Sequence, residues 1–388
     1  MIRQYFRQSI FVVVCLLGCF LAASAVPGAD DPTYTAHVKV HEIGTTWVEI
    51  DGRIYGAKPD EQGPIGGGSG YTSILSIGDY VVRTRMELLE ALSKAESGQV
   101  IFLPGDVVID FSVWVHAEQL VLEVPGGVTL ASDRGRNGSE GALLYSTEFK
   151  TRPLIRTKGD NVRITGLRVR GPDPQLRMEW HRYCFSGDNA KGNTYYYTFP
   201  TSDGISSEHS YLEVDNCEVY GWSHAAVYTA SGKEHHVHNN YIHHNQRHGL
   251  GYGVCLNKAE VLIEYNLFDN NRHSIAGTGR PGGGYIARHN VVLERANSHL
   301  FDMHGGRDRK DGTNVAGTQI VISNNTFTST HQRAVLIRGV PQEEALIHYN
   351  WFYIPEPGNR VLGSDGNTKA IDNVYGDPPS RKEEAYSF

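Results

Sequence analysis

The stretch VLIEYNLFDNNRHSIAGTG, residues 261–279, decides the fold. A strand-like run, LIEY, ends at Asn266, a short run LFD follows, and after a polar turn comes a third, HSIAG. The same arrangement returns on both sides. LEVDN ends at Asn216, HVHNN at Asn240, IARHN at Asn290, VISNN at Asn325, LIHYN at Asn350 and KAIDN at Asn373. The separations are 24, 26, 24, 35, 25 and 23 residues. A period of about 20–50 residues marks a repeat architecture. Each unit holds three short β-like pieces and no helix, which specifies an all-β fold, a single-stranded right-handed parallel β-helix. Stacked Asn side chains at one turn then hydrogen-bond from coil to coil, as Asn ladders do in other stacked strands.

Earlier coils carry Gly where later ones carry Asn: QVIFLPG (99–105), LVLEVPGG (120–127) and VRITGLRVRG (162–171). Before them, Met86, Leu88, Leu89 and Leu92 have helical spacing, and the helix stops near Glu96-Ser97-Gly98. A short N-terminal capping helix there covers an apolar end that would otherwise expose a sheet edge. The span from residue 100 to 375 has room for roughly ten coils, a rod on the order of 45–50 Å long. The expected organisation is a signal peptide (1–25), a leader ending in GPIGGGSGY (26–75), the β-helix catalytic domain (76–375) and a polar C-terminal tail (376–388).

The chain has 388 residues, 40% hydrophobic residues, 43 glycines and a net charge of −7. No basic block accompanies that charge, so nucleic acid is not the expected partner; the chain is expected to act as a monomer. Arg3 and Arg7 precede the apolar run SIFVVVCLLGCFLA (9–22), and Ala23-Ser24-Ala25 is an A-x-A cleavage site. The expected address is secreted or periplasmic, with lipoprotein processing at Cys19 as the alternative. Cys184, Cys217 and Cys255 would remain, and buried free thiols are the expected state.

Two insertions break the period. Residues 171–200 carry Trp180, Arg182, Tyr183, Tyr195, Tyr196, Tyr197 and Phe199. Residues 304–317, HGGRDRKDGTNVAG, account for the 35-residue gap. One enters just before a strand (DGISS), the other leaves just after an equivalent strand (HLFDM), so both flank one stacked sheet. Long loops on a rigid scaffold carry function.

This pattern resembles the pectate-lyase-like right-handed parallel β-helix superfamily over about residues 75–375. The resemblance implies a carbohydrate-active fold but no one reaction, because lyases, glycoside hydrolases, uronate epimerases and non-catalytic adhesins share it. Polygalacturonase-type hydrolases carry N-T-D-G-I, then an Asp pair one coil on, then G-H-G-L and R-I-K. Here TSDGIS (201–206) places Asp203, and RHGLGYG (247–253) places His248. AAVYTAS (225–231) stands where the Asp pair belongs, and IRG (337–339) is only a partial echo of R-I-K. A hydrolase normally needs two carboxyls flanking the bond.

Histidine is the unusual component, with 18 in the chain. His248, His273 and His299 recur at 25 and 26 residues and are expected in one column. Those at 235–244 are expected on the surface or in turns. A basic, aromatic, histidine-rich cleft suits β-elimination on a uronic-acid polysaccharide: a base removes the proton beside the carboxylate, an acid protonates the leaving oxygen, and a cation neutralises the carboxylate. His248 or His273 is the expected base, Tyr252 or Tyr228 the proton donor, and Arg280 and Arg307 the carboxylate clamp. His299, Asp302 and His304 complete the polar cluster, with Asp302 and His304 on one strand face. Trp180, Arg182, Tyr195, Tyr196, Tyr197 and Asp203 are expected to bind substrate. Ca²⁺ is the candidate ion, as an alternative to Arg for the carboxylate. The other readings are a glycoside hydrolase using Asp203, Glu208, Asp302 or Asp308, and a non-catalytic carbohydrate-binding or surface β-helix.

Overall fold

A computed structural model describes residues 44–188 and 190–376. The expected signal peptide, its Cys19 alternative and residues 377–388 of the expected tail lie outside the described residues. Thr84 starts the capping helix Arg85–Lys94: its side chain accepts from Glu87 N–H, and the Glu87 carboxylate accepts from the Thr84 N–H in return. Leu88, Ala91 and Leu92 face the first coil, while Met86 is 62% exposed. Behind this cap the chain winds through parallel strands. One 10-stranded sheet holds the strand after each asparagine turn, and an 18-stranded sheet holds the other two strands of each coil. The interior is filled coil by coil; Phe327 packs between Phe301 and Phe352 with ring centroids 4.9 Å apart on either side.

The asparagine ladder is real but one member shorter than the sequence pattern. Asn266 is representative: Nδ2 donates to Val237 O (2.8 Å) and to Asn290 Oδ1 (3.0 Å), while its Oδ1 accepts from the Asn240 backbone and side-chain amides (3.0 Å each). Asn240, Asn266, Asn290, Asn325, Asn350 and Asn373 form this column. Asn216 does not belong to it. It has φ 52°, like Asn239, Tyr265 and His289, which each precede a ladder residue. Cys217 takes the ladder place, donating its N–H to Asn240 Oδ1 at 2.8 Å. A second ladder, unread in the sequence, joins Trp222 N–H, Asn245 and Asn271 at the next turn.

The displaced Asn216 has another use. Its Oδ1 accepts from Gly68 N–H at 2.7 Å, and Asn239 Nδ2 donates to Pro64 O at 3.1 Å. Asn324 Nδ2 likewise donates to Ile54 O, and Gly56 N–H to Tyr349 O, both at 2.9 Å. Residues 44–71, unpatterned in the sequence, thus run as a strap along the turns of the helix. Gly67 makes the close approach: a Cβ there would sit 2.3 Å from Asn239 O, at φ +65°.

Candidate functional site

The strand that opens each coil presents two outward columns. Asp203, Ala225, Tyr252 and His273 pair in register, as do Ser206, Tyr228, Cys255, Ala276 and Asp302. Ala225, Tyr252, Cys255 and Ala276 form a small cluster outside the main core, with Tyr228 and Leu250 packed against it. The aromatic insertion stands before strand Asp203–Ser207 and the 304–317 insertion after strand Phe301–Met303. Four inter-strand steps, about 19 Å, separate these strands.

At one end, His224 Nδ1 donates to Asp203 Oδ1 at 2.5 Å. Burial alone would lower the imidazole; the Asp203 carboxylate outweighs burial and lifts it to about 10. The Tyr228 and Tyr252 rings lie 5.3 and 5.5 Å from it. Burial, then the nearby Cys255 and Asp203, pushes Tyr228 up to about 12. Tyr252 is 7% exposed, is raised by burial, and donates to Gly249 O at 3.4 Å. Arg280 is exposed, and its charge acts on Tyr228.

The expected column of three histidines is corrected to two. His273 pairs with Tyr252, not His248, and their rings stack 5.7 Å apart at 7°. The turn 246–251 adds residues between Asn245 and strand Tyr252–Glu264, which moves His248 off the sheet. There its ring meets His181 at 4.4 Å, and its carbonyl accepts from the Tyr196 hydroxyl at 2.6 Å. Burial, with the charges of His181 and Arg272, holds His248 below its usual range.

The aromatic insertion folds as two short helices, Met178–Phe185 and Gly192–Thr198. Trp180 packs on Tyr183, Tyr195 and Phe199 at 5.2–5.9 Å. Beneath lies a cleft of about 610 Å³ whose lining includes Trp180, Tyr183, Phe199, Arg177, Arg247 and His248. Tyr183, Tyr197 and Phe199 are exposed, as is Arg182. Tyr196 is 1% exposed, so it supports the loop and cannot stack on a ligand.

At the other end, Asp302 is wholly buried. Arg338 binds it through Nε (3.1 Å) and Nη2 (2.6 Å), and His299 and His304 Nε2 lie 3.0 and 2.8 Å from its oxygens. Burial would raise Asp302; the two imidazoles hold it well below the usual carboxylate range. His273 is 0% exposed and cannot touch a polymer, which removes it as the base. Arg307 is exposed and pairs with Asp365 at 2.5 Å; the cation at Asp302 is a different residue. Arg338, in the IRG echo, takes that place because Ile337 pairs with Met303 and so sets Arg338 beside His304. His224 could have been found from the 21-residue step that brings it beside Asp203.

Of the 235–244 histidines, His236 is partly exposed and His244 lies in a turn, as expected, but the other three are buried. His235, His238 and His243 are 1–3% exposed. His238 donates to Glu213 and His243 to Glu218, and His243 stacks between Tyr220 and Tyr241. Cys184, Cys217 and Cys255 are free and buried. Two groups among the described residues have metal-ligand spacing: Glu213, His236 and His238, and His273, His299 and Asp302. Both contain two imidazoles, which disfavours the oxygen-seeking Ca²⁺.

The family described as "right handed beta helix region" matches residues 185–374. The chain is a right-handed parallel β-helix. Among solved structures, this β-helix resembles the alginate lyase of Paenibacillus sp. FPU-7, at 16% identity and TM-score 0.51, over 76% of this chain and 94% of that one. Weaker similarity reaches the Dettilon tailspike protein (13% identity, TM-score 0.40, 75% of this chain and 57% of that one). It also reaches the Azotobacter vinelandii mannuronan C-5 epimerase A-module (12%, TM-score 0.35, 78% and 98%). No curated protein matches the sequence significantly. At 16% identity the β-helix shares its fold with that alginate lyase, and the reaction has to be argued from its own residues.

Proposed function

We propose that this β-helix is an exported enzyme that cleaves a uronic-acid polysaccharide by β-elimination in the groove between its two insertions. The observation that carries the reading is the Asp203–His224 hydrogen bond on the strand face, flanked by Tyr228 and by Tyr252, whose hydroxyl donates to Gly249 O next to His248. Two imidazoles with separated proton affinities give an acid and a base. His248, kept neutral and half-buried, takes the proton beside the sugar carboxylate. His224, kept protonated by Asp203, gives a proton to the leaving oxygen directly or through Tyr228. Arg280 is the exposed cation of the expected clamp near Tyr228, and the exposed aromatics of the insertion offer faces for sugar rings. The alginate lyase of similar fold acts on a uronate polymer, which favours that substrate class.

The hydrolytic reading is less well supported. Asp203 and Asp302 stand four strand steps apart, about 19 Å, whereas paired hydrolase carboxyls lie within roughly 10 Å. Asp302 is also buried and held ionised, which disqualifies it as an acid. A screen of uronate polymers that follows both ultraviolet absorbance and reducing ends tests the proposal. Unsaturated product is the expected result; reducing ends without absorbance would sink it.

A further inference from the structure

The Asp302 cluster is not used by that reaction, and its hydrogen bonding is incomplete. His273 is wholly buried, and its Nδ1–H donates to His299 O at 2.5 Å. With the proton on Nδ1, the neutral ring keeps a lone pair on Nε2. That Nε2 lies 3.9 Å from Asp302 Oδ2 and has no hydrogen-bond partner among the described residues. His299 Nε2 and His304 Nε2 approach the same carboxylate at 3.0 and 2.8 Å, neither in hydrogen-bonding geometry. The buried His273 lone pair thus faces a carboxylate, an arrangement that a cation between them relieves. A proton on His299 or His304 would serve its own contact with Asp302 and still leave the His273 lone pair unused.

We infer that His273, His299 and Asp302 bind a divalent transition-metal ion of the zinc class, with His304 as a fourth donor. One ring nitrogen from each of the two histidines and one Asp302 oxygen all lie within 4.8 Å of one another. Two nitrogens and a carboxylate suit zinc and its neighbours, whereas Ca²⁺ and Mg²⁺ take oxygen. The outer contacts also fit. A metal-binding imidazole commonly donates its other N–H to a backbone carbonyl, as His273 does, and its carboxylate partner is held from behind. Arg338 does that for Asp302 and is itself bound by Asp308 at 3.1 Å. Entry is from the groove side, where the His299 and His304 side chains are 16% and 27% exposed. The Glu213 group lacks this deficit: His238 Nε2 already bonds Glu213 at 3.1 Å and His236 Nε2 bonds Glu264 at 2.8 Å.

The test needs no substrate, so it is independent of the eliminative reading. The full chain is stripped with a chelator and titrated with Zn²⁺ by calorimetry. One ion per chain is expected, with affinity at least about 100-fold lower in His299→Gln, since losing a ligand costs more than the 10–100-fold of an outer-shell change. His236→Gln is expected to bind as the unaltered chain does. X-ray absorption of the zinc-loaded chain requires no variant and should show imidazole scattering with Zn–N near 2.0–2.1 Å, as is usual for roughly four-coordinate zinc. No stoichiometric uptake, uptake unchanged in His299→Gln, loss in His236→Gln instead, or absent imidazole scattering would each overturn the site.

Discussion

His224 Nδ1 donates to Asp203 Oδ1 across 2.5 Å, joining two successive coils where Asp203 opens one strand and His224 immediately precedes the next. The carboxylate outweighs burial and keeps the imidazole charged until about pH 10. On the acid side, His248 is held below its usual range and stays neutral through neutral pH. Activity should therefore form a plateau that falls above about pH 10 and falls on the acid side only below 6.5. In Asp203→Asn the alkaline limb should move down by several pH units, because burial of His224 is no longer opposed. A pH profile of kcat/KM reads this; an unmoved alkaline limb would remove His224 as the acid.

The same pair bears on stability. The folded His224 is raised, so its contribution is fully present below its unfolded value near 6.5 and is lost as pH rises toward about 10. Thermal unfolding between pH 6 and 10 should show a fall in Tm that Asp203→Asn abolishes.

Asn266→Ala removes two donated and two accepted bonds inside the coil stack. Buried amides left unpaired cost about 1–3 kcal/mol each, so a loss of at least 2 kcal/mol or so is expected by denaturant unfolding. Asn216→Ala should behave differently. It should free residues 63–71 to hydrogen exchange while the ladder amides stay protected, because Asn216 holds Gly68 and takes no part in the ladder.

That difference marks how far the sequence could be read. The period, the three strands per coil and the capping helix follow from local pattern. Asn216 misled because the turn holds two residues, one at positive φ and one in the ladder, and Asn suits both. The exchange of Tyr252 for His248 in the column depends on a turn whose extra residues leave the overall period nearly unchanged. Arg338 lies 36 residues from Asp302, and only the strand register brings them together. The strap over residues 44–71 has no periodicity because its partners are turns of the helix, not its own repeats.

Tyr183 and Phe199 are exposed at 51% and 40% and line the cleft beside His248. Tyr183→Ala and Phe199→Ala should raise KM several-fold with kcat nearly held, as expected when sugar stacking is lost and the reacting groups remain. A fall in kcat at unchanged KM would place them in the chemistry instead.

The most direct test of the account is the ultraviolet signal of unsaturated product from a uronate polymer, compared between the unaltered chain and His248→Ala. The account predicts a signal that falls by about 10²- to 10⁴-fold in the variant, the usual weight of a general base. Activity that survives His248→Ala, or cleavage that yields reducing ends and no unsaturation, would contradict it.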